Sequence, residues 1–496
     1  MSDSIKRDLR KGFIASAFTK YLNFGMRIIV AAVLARLLEP HEFGIFSIAL
    51  VFLTFFSLLS ESGMSVAVVQ KRDLSEADVS NIFKFTVGMG LSIAAIFMAS
   101  SGLIAQFYEE PALTMVCQVL AISAVFNSAA GVPRALMLKE KRFGEIARLD
   151  VIAMFTAAAV AMTSAFLGAK YYALVLQELV RGCLVFFMYY RASGIQVQRG
   201  FSFASIGKVF NYSAFQFLFN VLNYFSRNID NLLIGKYFST TMLGFYNKSY
   251  TLMLLPNQTI SQVITPALHP VFAELQDQPK RMYQYYVDMV RFLADIGVVI
   301  SLGVFFFAHE MILVLYGARW LDVVPMLQPL ALTIGLQLIL QTSGSVFQAL
   351  GLTKHLFYTG LVSSFMIIGA IVYGVVSQDI IVLCTAYASS ILFVFLQNYY
   401  VLTRVGFDHP FTEFLGYLKV PALIYVLLFV GMKLALFVQQ LAFGSDYFLV
   451  NVLAFGGLSA GLFFVTREYR FLGEFGSDYG IKLPTNKLGK LFERSR

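Results

Sequence analysis

The sequence predicts an all-α, polytopic membrane protein of about 14 transmembrane helices, arranged as two six-helix lobes with two further helices at the C-terminal end. Three observations predict it. Hydrophobic residues make up 58% of the 496 residues and charged residues 14%, against roughly a quarter charged in soluble domains. Apolar runs of about 20 residues, the length that crosses a hydrocarbon core of roughly 30 Å, recur from Phe13 to Thr466. A polar stripe also appears twice in apolar surroundings, at positions offset by 200.

The runs begin near Phe13, Phe43, Ile82, Leu113, Leu149, Tyr171, Val209, Gly244, Phe292, Pro325, Leu356, Ile380, Phe414 and Phe448. The links between them are short and leave no room for a soluble catalytic domain. The net charge of +9 is spread in a pattern that excludes a nucleic-acid role. Lys6, Arg7, Arg10 and Lys11 precede the first run, and Lys71, Lys139, Lys141, Arg142, Arg191, Arg199, Lys280, Lys354 and Arg404 stand at alternate connections. The intervening links, such as 39–42 and 108–111, are poor in positive charge. That alternation is the positive-inside pattern and predicts that both termini lie in the cytoplasm. The polar start runs straight into a long span carrying Lys20 and Arg27, so no cleavable signal is expected. Cys117, Cys183 and Cys384 lie far apart within apolar runs and give no disulfide framework.

The longest polar connection, 192–208, divides the chain into an N-lobe at 1–191 and a C-lobe at 209–405, joined on the cytoplasmic side. The last two spans fill 406–466, and 467–496 is a basic cytoplasmic tail. Comparing the lobes pairs Asn23 with Asn223, Arg27 with Arg227, Arg36 with Lys236, Gly44 with Gly244 and Phe46 with Tyr246. Both copies begin on the same side, which predicts a parallel repeat about an axis along the membrane normal.

The stripe itself reads Ser16, Lys20, Asn23 and Arg27 in the first copy. In the second it reads Gln216, Asn220, Asn223 and Arg227, continuing to Asp230 and Asn231. Steps of four, three and four place each set on one helix face. An arginine at the centre of a spanning helix costs at least ~2.5–3.5 kcal/mol, so two at matched places point to two walls of one polar cavity. Counted from the span starts, both arginines fall past mid-membrane toward the periplasm. Their planar guanidinium groups suit phosphate oxygens, and the amides suit sugar hydroxyls. Asp230, three residues from Arg227, is in reach of a local ion pair. Glu61 and Asp150 are candidate sites for a coupling proton or sodium ion, whereas Glu178 and Arg181 are expected to pair with each other. The tyrosines at 246–250 and 283–286 read as an interfacial belt. No Gly-rich phosphate loop, metal-spaced His or Cys set, or nucleophile–base arrangement is present, so neither a cofactor, a metal nor an enzymatic activity is expected.

Several stretches resemble bacterial oligosaccharide flippases. They are VQKRDLSEADVSNIF from Val69 to Phe83, ALMLKEKRF from Ala135 to Phe143, FSRNIDNLLIG from Phe225 to Gly235, LGFYNKSY from Leu243 to Tyr250 and ITPALHP from Ile264 to Pro270. Together they are similar to the colanic-acid exporter branch of the Wzx-type flippases, within the multidrug/oligosaccharidyl-lipid/polysaccharide superfamily. The resemblance implies a fold like that of multidrug and toxic-compound extrusion transporters, two six-helix lobes around a central cavity. It implies an undecaprenyl-diphosphate-linked oligosaccharide as cargo, for exopolysaccharide or lipopolysaccharide biosynthesis. Arg27 and Arg227 match the positions that engage the diphosphate. Relatives that flip peptidoglycan precursor carry an acid after the first arginine, and Ile28 stands there instead.

The expected function is therefore a flippase working by alternating access. Arg27, Arg227 and Lys20 would hold the diphosphate, while Asn23, Gln216, Asn220, Asn223, Asp230 and Asn231 line the glycan cavity. Membrane lipids and polysaccharide polymerase or export machinery are the further partners. A drug exporter of the same superfamily is the transport alternative, but its cations favour acidic cavities. A membrane-embedded polymerase or glycosyltransferase would need a large periplasmic loop or an acidic metal motif, and a scaffold would have no use for the paired arginines.

Overall fold

The computed structural model describes residues 22, 24–61, 64–71, 74–203, 206, 214–274, 278–443 and 447–472, with the side chains of all of these except 60, 61, 66, 67, 70, 214–223, 226, 261–274, 279 and 443. Among the described residues every regular element is helical. By contacts the chain forms two compact units. The first comprises residues 1–247 and 313–321, the second 248–312 and 322–496.

The first unit contains α1 (24–37), α2 (Pro40–Glu61), α3 (Met64–Gln70), α4 (Glu76–Tyr108), α5 (Ala112–Lys139), α6 (Phe143–Phe166), α7 (Tyr172–Ser193), α8 (Ala214–Tyr237) and the first turns of α9 (Thr240–Glu274). α5 packs on α2, α3, α4, α6 and α7. Its small buried residues, among them Ala121, Ser123, Ala124, Ser128 and Ala129, let neighbouring backbones come close. On α4 the space for Ser128 is made by Gly90, where a methyl group would stand 2.8 Å from the Ser128 Cβ. α4 starts on a capping box: Ser75 Oγ accepts from the Asp78 backbone N–H, and the Ser75 N–H donates to the Asp78 carboxylate. It stops at Glu109, whose left-handed backbone turns the chain away.

The second unit contains the rest of α9, then α10 (Pro279–Phe306), most of α11 (Ala308–Leu315), α12 (Val324–Ala331), α13 (Ile334–Ala349), α14 (Thr353–Val376), α15 (Ile380–Val401), α16 (Phe411–Tyr417), α17 (Lys419–Phe443) and α18 (Phe448–Val465). α10 packs against α12, α13, α16 and α17, and α14 pairs with α15. A methyl group on Gly374 would fall 2.3 Å from the Leu383 Cα, so that hairpin closes backbone to backbone. Asp379 caps α15 through the Ile381 N–H at 2.7 Å.

Ten described helices are long and apolar enough to cross a membrane, and a bent pair supplies an eleventh. That pair is the span expected near Pro325. It consists of 318–331 and 334–349, and its two halves meet at 55°. Pro329, inside α12, removes a backbone donor just before the bend. The expected count of 14 also includes runs near Phe13, Val209 and Gly244. The first of these is described from residue 24 onward as α1, the second corresponds to α8, which carries Arg227, Asp230 and Lys236, and the third to α9.

Of the tyrosines expected at an interface, Tyr285 is exposed and Tyr250 half-buried, whereas Tyr246, Tyr283 and Tyr286 are buried. Each buried ring has found a partner inside the protein: Tyr246 donates to the Asp230 carboxylate at 2.8 Å, the Tyr286 and Tyr399 hydroxyls meet at 2.7 Å, and Tyr283 stacks on His409 at 4.1 Å. The buried hydroxyls of Tyr246 and Tyr286 thus find hydrogen-bond partners on other helices, whereas the Tyr283 hydroxyl has none among the described residues.

Candidate functional site

The repeat seen in the sequence has a geometric counterpart in the first unit. α2 and α9 cross at their first turns with no side chain between them. A methyl group at Gly44 would lie 1.7 Å from the Thr240 carbonyl oxygen, and one at Gly244 would lie 2.1 Å from the Pro40 carbonyl oxygen. Adding 200 to one contact and subtracting it from the other exchanges the two. The contact therefore maps onto itself under the repeat, and a pseudo-two-fold axis runs through the crossing. His41 Nδ1 meets Thr240 Oγ1 at 2.6 Å and holds the two ends together.

The single tryptophan of the chain sits at the same place. Trp320 is fully buried, and its indole N–H donates to the Ala35 carbonyl at 2.7 Å. Its ring lies 5.2 Å from Phe43 and 5.9 Å from Phe245, the neighbours of the two glycines.

The arginines stand on the helices that lead into this crossing. Arg27 lies ten residues before the end of α1, and Arg227 ten residues before the end of α8. At 1.5 Å per residue both are about 15 Å from those ends, half the thickness of a hydrocarbon core. They are thus nearer the midplane than counting from the span starts implied. Both side chains are exposed. Facing hydrocarbon would be costly for either one, whereas a water-filled cavity or an anion satisfies the guanidinium donors.

Asp230 does not neutralise Arg227. Its side chain is 3% exposed; Oδ2 accepts from the Tyr246 hydroxyl, and Oδ1 accepts from the Asn231 backbone N–H at 2.8 Å. The carboxylate thus ties α8 to α9, and among the described residues no ion pair joins it to Arg227. The Asn231 amide nitrogen approaches the same carboxylate at 3.4 Å, and its Oδ1 has no partner among the described residues. Beside Arg227, Phe225 and Tyr224 of α8 line an apolar crevice of about 160 Å³ with Phe55 and Phe56 of α2 and Ile104 of α4.

Other expected residues fall elsewhere. Lys20 and Asn23 lie outside the described residues, as do the side chains of Gln216, Asn220, Asn223 and Glu61. Asp150 belongs to the α6–α7 hairpin, where the Tyr189 hydroxyl donates to it at 2.6 Å. In the same hairpin the expected pair of Glu178 and Arg181 is formed at 2.6 Å.

Residues 33–325 match the family described as polysaccharide biosynthesis protein. The chain belongs to that family. The match contains Gly44, Gly244, Trp320 and Arg227 and begins just after Arg27. Among relatives, the chain is 23% identical to the lipopolysaccharide biosynthesis protein WzxC of Escherichia coli (strain K12). The alignment covers 75% of this chain and 76% of the relative. It is 21% identical to the succinoglycan biosynthesis transport protein ExoT of Rhizobium meliloti (strain 1021), over 74% of each chain. In fold it resembles the lipid II flippase MurJ in an inward closed conformation. The TM-score is 0.72 at 15% identity, over 92% of this chain and 99% of that one. The expected resemblance to polysaccharide exporters and the all-α transporter fold are borne out, and the protein is a multi-pass inner-membrane protein.

Sequence reasoning pairs Gly44 with Gly244 but does not show the contacts they make, Gly44 with Thr240 and Gly244 with Pro40. It also passes over His41 and Trp320. The available signal was the Gly-plus-four spacing after Pro40 and Thr240, since two helix starts with glycine one turn in are built to approach closely.

Proposed function

We propose that this member of the polysaccharide biosynthesis family is a flippase, a transporter rather than an enzyme. It moves undecaprenyl-diphosphate-linked oligosaccharide repeat units from the cytoplasmic to the periplasmic leaflet of the bacterial inner membrane. The observation that carries the site is the pair of exposed arginines at equal depth on α1 and α8, related by the same repeat that builds the crossing. The headgroup diphosphate docks between Arg27 and Arg227, with Lys20 assisting from the cytoplasmic side. Asn23, Gln216, Asn220, Asn223 and Asn231 meet the glycan hydroxyls, and Asp230 acts by fixing Asn231 and Tyr246. The polyprenyl tail stays in lipid.

A polar headgroup crossing bare hydrocarbon would lose its hydrogen-bond partners, and the cavity replaces them. The lobes at 1–191 and 209–405 rock against one another about the cavity. With both termini in the cytoplasm, the crossing of α2 and α9 lies at the periplasmic end. Its backbone contact closes that end, and opening outward requires α2 and α9 to part there. Export is expected to hand the repeat unit to a polysaccharide polymerase.

The in vivo test is a double variant, Arg27→Ala with Arg227→Ala, in a strain deleted for its own gene. The expected result is normal insertion, loss of surface polysaccharide and accumulation of the lipid-linked repeat unit. Undiminished surface polysaccharide would remove the arginines from the mechanism.

A further inference from the structure

The second unit holds three charged side chains that the diphosphate site does not use. Arg291 and Asp295 stand one turn apart on the same face of α10, and Glu468 opens the short helical stretch 468–472 that follows α18. The Glu468 and Asp295 side chains are both 0% exposed. The Arg291 guanidinium donates to Glu468 Oε1 at 2.5 Å and lies 4.4 Å from the centre of the Phe471 ring. Glu468 Oε2 and both oxygens of Asp295 are buried with no hydrogen-bond partner among the described residues.

The charges do not balance. Among the described residues two carboxylates face one guanidinium, so one negative charge is left on a pair of carboxylates that are themselves fully buried. An ionised carboxylate with no donor in such surroundings is among the most costly groups a protein can bury. Among the described residues, Arg291 is the cation that acts on Asp295. α12 and α13 carry no charged residue. On α17, Lys433 lies over the Phe305 and Phe429 rings, about 15 Å further along α10. Lys419 opens α17. Tyr425 of the same helix faces Ser301, and Glu413 of α16 lies beside His409 at 3.3 Å. Arg291 and Glu468 are the charged groups that act on Asp295.

We propose that Asp295 and Glu468 hold one exchangeable proton between them, making a proton-binding site between α10 and the segment after α18. With the proton on Asp295 the excess charge disappears, and the Arg291–Glu468 pair stays intact as a balanced couple. A metal ion fits less well. Hard cations take six or more oxygens, one carboxylate oxygen here is already on Arg291, and the described residues contain no cluster of three or more His, Cys, Asp or Glu. Displacing the segment that carries Glu468 would return Asp295 to Arg291 and release the proton, so occupancy is tied to the position of that segment. The use of this proton as the coupling ion rests on the proposed flippase function; the proton site itself does not.

The test is infrared difference spectroscopy of the full-length protein in lipid nanodiscs, recorded between acid and alkaline pH. Wild type is expected to show the carbonyl band of a buried protonated carboxyl that disappears on alkalinisation. The band is expected to be lost in Asp295→Asn. It should also be lost in Glu468→Gln, where Arg291 is free to neutralise an ionised Asp295, and kept, at a shifted position, in Asp295→Glu. A band unchanged in both of the first two variants overturns the proposal. So does a thermal midpoint that rises when sodium replaces choline in wild type but not in Asp295→Asn, because the site then holds a metal ion. Proteoliposomes give the second arm: flipping should lose its dependence on a proton gradient in Asp295→Asn. Absence of any glycan flipping by wild type, with the band behaving as expected, would remove the flippase reading and leave the proton site standing.

Discussion

An alanine at Gly44 places its methyl carbon 1.7 Å from the carbonyl oxygen of Thr240. Such carbons essentially never come within 3.0 Å of another heavy atom, so α2 and α9 must part by about 1.3 Å. The obstacle is backbone and cannot rotate away, which puts the cost in the overpacking range of roughly 1–3 kcal/mol. Parting also stretches the 2.6 Å bond between His41 and Thr240 and loosens Phe43 and Phe245 around Trp320. Because the chain has one tryptophan, its fluorescence reads this crossing alone. For Gly44→Ala the expected result is emission shifted to longer wavelength, a lower thermal midpoint in detergent and reduced export. Gly244→Ala should move all three the same way by less, since its gap is 2.1 Å. Gly88→Ala, where nothing lies within 4 Å, is the control and should match or slightly exceed wild-type stability. Emission and midpoint of Gly44→Ala indistinguishable from Gly88→Ala would refute the close crossing.

Two further outcomes follow from the same region. Tyr246→Phe leaves the buried Asp230 carboxylate short of one donor and is expected to destabilise the protein by about 1–3 kcal/mol. Adding Asp230→Asn should cost less than the sum of the two single changes; full additivity by denaturation would mean the two side chains do not interact. In a background with Cys117, Cys183 and Cys384 replaced, oxidising the pair His41→Cys and Thr240→Cys should lock the periplasmic end and stop export until reductant is added. Export that continues with the cross-link formed would show that the crossing need not open.

What was legible in the sequence was whatever repeats locally or at a fixed offset. Apolar runs of spanning length mark the helices because hydrocarbon demands that length. The pairs Arg27 with Arg227 and Gly44 with Gly244 survive divergence because each answers a demand its neighbours cannot meet, a charge at membrane depth in one case and a backbone contact in the other. Residues whose surroundings come from distant chain were misread. A tyrosine near a span end looks interfacial until a partner such as Asp230 or Tyr399 is brought to it, and neither lies on the same helix. Glu468 meets Arg291 across 177 positions, a separation at which no local pattern carries information. Asp230 shows the converse: spacing offered Arg227 as its partner, but burial turned the carboxylate to Tyr246 and the Asn231 N–H. The bend after Pro329 was hidden because a proline in an apolar run specifies a missing donor and leaves the angle to packing.

The central claim is that two matched arginines carry a lipid-linked diphosphate across the membrane, and purified protein in proteoliposomes tests it most directly. Vesicles are loaded on one leaflet with a fluorescent undecaprenyl-diphosphate oligosaccharide, and its arrival on the other leaflet is followed by a membrane-impermeant quencher. Wild type is expected to move the probe and Arg27→Ala with Arg227→Ala to leave it in place, with Lys at both positions restoring part of the rate because the charge returns without the bidentate fork. Equal rates for wild type and the double alanine variant would contradict the account.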